Sequence, residues 1–361
     1  MAESTAVTEV VDGFPELVPV LPNHRFDERA LWRWLRDRLP GFGEEPLVRQ
    51  FQGGQSNPTF HLRAGGHDYV LRKKPPGKLL PSAHAVDREY RMIGTLANSD
   101  VPVPRVHLLC TDESVIGQMF YIMDYVPGRV YAGDRTLPGC PPAERGAMYD
   151  DMNRVLAALH RVDWRAVELE GFGRPEAYFA RQIARWSNQY EASRTEDIAS
   201  MERLMRWLPE RVPADAAASV VHGDYRLGNL LFHPCEPRVV AVLDWELSTL
   251  GHPLADLGYH LLTYRLPASA GGVAEPEMVA AGLPSEADYV ATYCARTGRG
   301  SIPDLEFSIV FSMFRFAAIV AGVYRRALEG NAADARALQR GAMVRDVADR
   351  AWEIAQAVDH R

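Results

Sequence analysis

Residues 220–256, VVHGDYRLGNLLFHPCEPRVVAVLDWELSTLGHPLAD, constrain this chain more than any other stretch. Aliphatic runs at 220–221, 230–232 and 239–243 are each bounded by turn residues, which predicts three short buried strands. Asp224, Asn229 and Asp244 then fall at strand ends or in the loop between strands. A rigid scaffold mounts its chemistry in such places.

Those three residue types at that spacing suit phosphoryl transfer to a hydroxyl. Such a reaction needs a carboxylate to orient the hydroxyl and take its proton, hard oxygen ligands for magnesium, and positive charge near the phosphate in transit. Asp224 and Asn229 give D-x-x-x-x-N, a catalytic-loop spacing in which the Asp is the base and the Asn a metal ligand. Asp244, ending the next predicted strand, stands where a second metal-binding Asp is needed. Trp245-Glu246 follow it rather than Phe-Gly, so the protein-kinase form is not met strictly. Taken singly, each residue suits a structural role: a turn cap, a loop amide, a strand end. The three together at this spacing argue for chemistry.

HGDYRLGNLLF, then VLDWE, then GHPLADLGY resemble the aminoglycoside phosphotransferase-like superfamily of small-molecule kinases. Within it, the chain looks most like the branch related to the kinase-like half of certain multidomain acyl-CoA dehydrogenases. Supporting matches run from about Phe51 to about Tyr264. The resemblance implies an α+β, two-lobed protein-kinase-like fold, with a small β-rich N-lobe and a larger, mainly helical C-lobe. It implies a nucleotide between the lobes, ATP with GTP as the alternative, together with Mg2+. Asp224 would be catalytic, and Asn229 and Asp244 would hold the metal.

Upstream, an irregular leader over 1–24 precedes a helix over 26–39 and strands over 47–51, 59–63 and 69–73. The turn between the first two strands carries Gly53, Gly54, Ser56 and Asn57. Glycines there let backbone amides approach phosphate oxygens, although an ordinary hairpin turn reads the same way. Alternation along the third strand puts Val70 and Arg72 on one face and Leu71 and Lys73 on the other. The resemblance places Arg72 where a phosphate-contacting lysine often sits; Lys73 is the alternative. A helix over 84–98 carries Glu89, positioned like the glutamate that pairs with the strand cation, though an exposed helix Glu reads alike. Strands over 105–110 and 119–125 lead to a hinge at Tyr125-Val126-Pro127-Gly128. In the resemblance, the backbone near Met123, Tyr125 and Val126 would bond adenine. The expected division is therefore 1–125 and 126–361.

Beyond the hinge, helices are predicted over 142–162, 175–193, 196–208, 286–297, 305–328 and 333–358. His160 reads as packed or capping. Asp256, near the start of another helix, suits the helix dipole, and the resemblance gives a similar Asp the task of bracing the catalytic loop. Residues 267–284, rich in Ala and Gly, read as a flexible excursion over the substrate side. Phe307, Phe311, Phe314 and Phe316 read as core.

A formal charge of −7 argues against a nucleic-acid binder, which would show a basic stripe. Four dispersed cysteines form no C-x-x-C pair and suit a reducing cytoplasm. No basic n-region with an apolar core opens the chain, and no uninterrupted apolar run approaches the roughly 20 residues of a membrane helix, so no membrane partner is expected. Oligomeric state is not legible. The expected acceptor is a small-molecule hydroxyl. A hydroxyacyl compound is preferred over a polycationic aminoglycoside, for which Glu275, Glu277, Glu286 and Asp288 form a thin acidic cluster. An inactive nucleotide-binding module is the remaining alternative. Arg226, two residues after Asp224, has three readings: a catalytic clamp on the phosphoryl group, a contact to an anionic acceptor, or a partner of a surface carboxylate.

Overall fold

The computed structural model describes Gly13, residues 15–52, 57–75, 85–131, 135–137, 139–214, 218–330, Leu338 and 341–360. In chain order the elements are β1 (Leu17–Val18), α1 (Glu28–Leu35), β2 (Leu47–Phe51), β3 (Thr59–Ala64), β4 (His67–Lys73), α2 (Val86–Leu96), β5 (Val106–Cys110) and β6 (Phe120–Asp124). Next come α3 (Pro142–Arg161), α4 (Tyr178–Ser193), α5 (Ala199–Glu210), β7 (Ser219–Val221), β8 (Leu230–Phe232), β9 (Val239–Val242) and β10 (Thr249–Gly251). The chain ends with α6 (Leu254–His260), α7 (Leu262–Arg265), α8 (Glu275–Ala280), α9 (Glu286–Thr297), α10 (Leu305–Leu328) and α11 (Gly341–Asp359).

These elements form two compact units, one of Val10–Ala132 with Gly228–Ser248, the other of Gly133–Leu227 with Thr249–Arg361. Relative to the expected division after residue 125, the first unit gains 126–132 and the returning segment 228–248. Its frame is an antiparallel sheet in the order β1-β2-β3-β4-β6-β5. Alternation sets the faces: Leu71 joins Phe60, Leu62, Phe120 and Ile122 in a core closed by Leu31 and Leu35 of α1. Each such side chain, fully buried, contributes roughly 1.5–3 kcal/mol. Asp27 caps α1 by accepting from the Ala30 amide at 2.9 Å, so the helix opens two residues later than expected.

Beyond β6 the backbone is tied to β8. Arg129 and Phe232 exchange two N–H···O bonds of 2.8 Å, and a Cβ on Gly128 would sit 2.5 Å from the Phe232 carbonyl. The Val242 amide also bonds the Pro102 carbonyl at 2.8 Å. These contacts hold the β8–β9 hairpin in the first unit. Its turn carries Cys235, the exposed cysteine; Cys110, Cys140 and Cys294 are buried.

The second unit is built around α10, which packs against α4, α6 and α11. By length and composition α10 could cross a membrane, but 14 of its 24 residues are buried, Phe307, Phe311 and Phe314 among them, while Phe316 is half-buried. Its apolar character is that of a core helix. β7 pairs with β10, a three-residue strand the sequence reading missed.

Two expectations are corrected. The leader is not irregular throughout: β1 pairs with β2, and Gly13 bridges Val130. The 267–284 excursion contains α8, which Pro276 opens and the fully buried Met278 anchors. Residues 1–12, 84 and 331–337, where the leader and two expected helices begin, lie outside the described residues.

Candidate active site

In the first unit, the sheet and α2 converge on Arg72. Its side chain leaves β4 on the face opposite Leu71 and meets the buried Glu89, with Nε 2.8 Å from Oε2. This is a close ion pair without the alignment of a hydrogen bond. Arg72 Nη2 donates to Asp244 Oδ1 at 2.6 Å. Burial opposes the charge on Arg72, but Glu89, Tyr121 and Asp244 outweigh it and the guanidinium is held firmly protonated. Burial raises Glu89 to about 7, although Arg72 pulls the other way. Glu89 also accepts from Asn57 Nδ2 at 2.7 Å and from the Tyr121 hydroxyl at 3.1 Å. Asn57 is thus turned toward Glu89, whereas Gly53, Gly54 and Ser56 lie outside the described residues.

Lys73 goes the other way. It is buried, donates to Gln118 at 3.2 Å and lies within 6 Å of the Phe26 and Phe60 rings. Burial lowers its pKa. Arg72, not Lys73, is the cation presented to Glu89 and Asp244.

The β8–β9 hairpin brings Asn229 and Asp244 to one end. Leu230 pairs with Val242, and the Leu243 amide bonds the Asn229 carbonyl at 2.9 Å. Asp244 follows in the left-handed region, φ 64°, a conformation Asp tolerates better than most residues. An amide and a carboxylate at one end of a hairpin fit magnesium, which takes a few protein oxygens and completes its shell with phosphates and water. Among the described residues no cluster of three or more His, Cys, Asp and Glu forms a metal cage. Of the residues expected near adenine, Met123 is buried in β6, Tyr125 stacks on Phe51 with centroids 6.3 Å apart, and Val126 is half-buried.

In the second unit, β7 delivers the chain into His222-Gly223-Asp224. Gly223 adopts φ 84°, open to glycine at little cost. The buried Asp256 carboxylate in the first turn of α6 accepts the His222 amide at 2.6 Å and the Gly223 amide at 2.8 Å. Burial alone would raise Asp256, but His160, His222 and the Gly223 amide lower it below the usual carboxylate range. The expected brace is therefore formed, and His160 is packed against it, 3.4 Å from Asp256 and 2.7 Å from the Tyr293 hydroxyl.

Asp224 is held by its side chain too. Arg226 Nε donates to Oδ2 at 3.1 Å, and the Tyr259 phenol is near enough for the Asp224 charge to raise its pKa beyond what burial does. The carboxylate partner of half-exposed Arg226 is thus Asp224 itself. Tyr259 and Arg315, whose Nη2 donates to the Gly223 carbonyl, are site residues the sequence reading missed. Arg315 lies far along the chain, where no local pattern marks it; Tyr259 ends the GHPLADLGY motif, but that reading gave it no role.

Three of the four carboxylates proposed for a polycation, Glu275, Glu286 and Asp288, already have partners. Arg265 meets Glu286 at 2.5 and 2.6 Å and Glu306 at 3.2 Å. Glu275 accepts the Glu286 amide at 3.2 Å, and Asp288 is bonded to Ser285 at the start of α9.

Comparison with known proteins identifies the family and the fold. Residues 47–292 match the Phosphotransferase enzyme family. The chain is 45% identical over 347 residues to mouse (Mus musculus) acyl-CoA dehydrogenase family member 10, covering 95% of this chain and 32% of that protein. It therefore spans about a third of that relative's length. A crystal structure from Ralstonia eutropha, provisionally described as an aminoglycoside phosphotransferase, superposes with a TM-score of 0.84 at 50% identity, covering 92% of this chain and 99% of the other. An aminoglycoside phosphotransferase in ternary complex with AMP-PNP and hygromycin B shares the fold, with a TM-score of 0.59 at 17% identity over 90% of this chain and 98% of that one. The chain belongs to the phosphotransferase enzyme family, in its aminoglycoside phosphotransferase-like, kinase-fold form.

Proposed function

We propose that the protein transfers the γ-phosphate of ATP to a hydroxyl of a small metabolite, a hydroxyacyl compound being the acceptor class favoured. The observation that carries this reading is the loop 222–229. Its backbone is pinned by Asp256, its Asp224 carboxylate is held by Arg226, and Asn229 follows at catalytic-loop spacing. In this reading Asp224 orients the acceptor hydroxyl and takes its proton, the oxygen bonds to the γ-phosphorus, and the bond to ADP breaks. Asn229 and Asp244 would hold magnesium, which when bound offsets phosphate charge. Arg72, steadied by Glu89, would turn from Asp244 to the nucleotide phosphates. A nucleotide is supported by the related fold that binds AMP-PNP.

The hydroxyacyl class is supported by similarity to proteins named as acyl-CoA dehydrogenase family members. An aminoglycoside is disfavoured because Glu286 and Asp288, two of the carboxylates that would attract a polycation, are engaged by Arg265 and Ser285. An inactive module is disfavoured by the presence of Asp224, Asn229 and Asp244 together. The test is a screen of hydroxylated metabolites with Mg-ATP, using two variants. Asp224→Asn should lower kcat at least a hundredfold and leave ATP affinity within a few-fold, the pattern of a transition-state role. Asp244→Ala should lose magnesium-dependent ATP binding as well. An Asp224→Asn enzyme that keeps most of its kcat would end the assignment.

A further inference from the structure

Arg315 sits in the middle of α10 with 6% of its surface exposed. A buried guanidinium is costly unless paired, and most are held by a carboxylate. Among the described residues none forms an ion pair with Arg315. Its charge is instead spread between two ring faces, Trp186 at 5.3 Å and Tyr259 at 5.1 Å from the guanidinium carbon, and one hydrogen bond to the Gly223 carbonyl. Its Nε makes no hydrogen bond. An apolar side chain of similar length would fill this volume more cheaply, so stability alone does not account for an arginine here.

What Arg315 grips is informative. The Gly223 carbonyl belongs to the peptide that joins Gly223 to Asp224, while Asp256 holds the amides of His222 and Gly223. Amides and carbonyl together fix the plane from which the Asp224 side chain departs. The ring beneath Arg315 belongs to Tyr259, whose phenol is electrostatically coupled to the Asp224 carboxylate. Burial, and after it the Asp224 charge, raises the Tyr259 pKa, so the phenol keeps its proton and can donate toward that carboxylate. One end of the assembly sets the backbone before Asp224, and the other is coupled to its carboxylate.

We propose that Arg315 and Tyr259 act as one positioning pair that aims the Asp224 carboxylate at the acceptor. Arg315 orients the Gly223–Asp224 peptide and packs on the ring that orients the side chain. This rests on the reading of Asp224 as the base. Neither residue touches the reacting atoms. Their contribution is geometric, and a misplacement of about 1 Å at a reacting group costs on the order of a hundredfold in rate.

The test compares Tyr259→Phe, Arg315→Met, Arg315→Lys and the double variant, with Asp224→Asn as reference. ADP release from Mg-ATP is measured with water as sole acceptor, alongside Mg-ATP affinity, melting temperature and amide exchange over 222–229. Tyr259→Phe and Arg315→Met should each lower kcat per folded molecule tenfold or more, with ATP affinity within about threefold. The double variant should be little worse than the poorer single, since the two act through one group. Arg315→Lys should recover part of the rate, and exchange at Gly223 and Asp224 should rise in Arg315→Met. A merely structural role would lower the melting temperature and leave kcat per folded molecule unchanged; that result, or unchanged exchange at those amides, overturns the proposal. If Arg315→Met fails to fold, Tyr259→Phe, which removes one oxygen, decides alone. If Asp224→Asn itself keeps releasing ADP, the base assignment falls and the pair with it. If Asp224→Asn is inactive while Tyr259→Phe is fully active, only the pair falls.

Discussion

At Arg72 the choice of arginine over lysine has a visible reason. A guanidinium presents several donors in a rigid fork, so one side chain reaches both Glu89 and Asp244. An ammonium would have to choose between them or be drawn off line. Arg72→Ala removes a hydrogen bond to a charged group, worth about 1.5–3 kcal/mol, and strands Glu89 in the interior without its ion-pair partner. A rise in KM for Mg-ATP of tenfold or more is expected, with a lower melting temperature. Arg72→Lys should stay within several-fold of the parent KM. Lys73→Ala should lower stability while leaving KM for ATP unchanged, because Lys73 is packed over Phe26 and Phe60. Steady-state kinetics and thermal melts on the three variants check this. The sequence showed that Arg72 and Lys73 take opposite faces; which face meets α2 depended on where α1 lays its leucines. The Asp224–Asn229 spacing was legible because it is local. Arg315 was not, since it meets Gly223 from 92 residues away.

Among the elements, legibility followed pattern length. β2 was read to the residue because a β-branched and aromatic run lies between turns, and α10 because twenty-four residues leave no ambiguity of period. β10 escaped because Thr249-Leu250-Gly251 is too short to alternate and is a strand only by virtue of β7. α8 escaped because its six residues sit among glycines and alanines that read as loop. α6 carries a consequence of its own. Its fully buried His260 lies 4.9 Å from the Tyr289 ring, and burial lowers its pKa from 6.5 to about 4. A histidine depressed in this way favours the folded state above pH 6.5, and that advantage is lost as pH falls toward 4, where the unfolded chain takes up a proton that the folded one refuses. The loss approaches about 3 kcal/mol at the lower end. Thermal melts between pH 7 and 4 should show a steepening decline, shallower in His260→Gln once its own lower baseline is subtracted. A variant with the same slope as the parent would refute the assignment.

On the scale of the whole molecule, the first unit is assembled from two stretches of chain, and this was the least legible feature. Nothing in the local pattern of 228–248 says that Phe232 will bridge Arg129 or that Val242 will bond Pro102. A cut at the apparent hinge would separate the sheet from the hairpin that carries Asn229 and Asp244. A fragment of residues 1–132 should therefore fold poorly, with a broad melt and dye-accessible apolar surface. The same fragment with 228–248 rejoined through a short Gly/Ser linker should recover a cooperative transition. Circular dichroism melts on the pair check this; equal melts would mean the hairpin is dispensable to the unit.

The exposed thiol at the hairpin turn offers a way to see the metal without knowing the acceptor. Three of the four cysteines are buried, so a nitroxide reagent should select Cys235. Cys235 is the sixth residue after Asn229, a span of no more than about 22 Å of extended chain. Manganese, which shares magnesium's taste for oxygen, is paramagnetic and would relax that nitroxide in the presence of ATP. The broadening should vanish in Asp244→Ala. A spin label indifferent to manganese and nucleotide would move the metal away from the Asn229–Asp244 end of the hairpin.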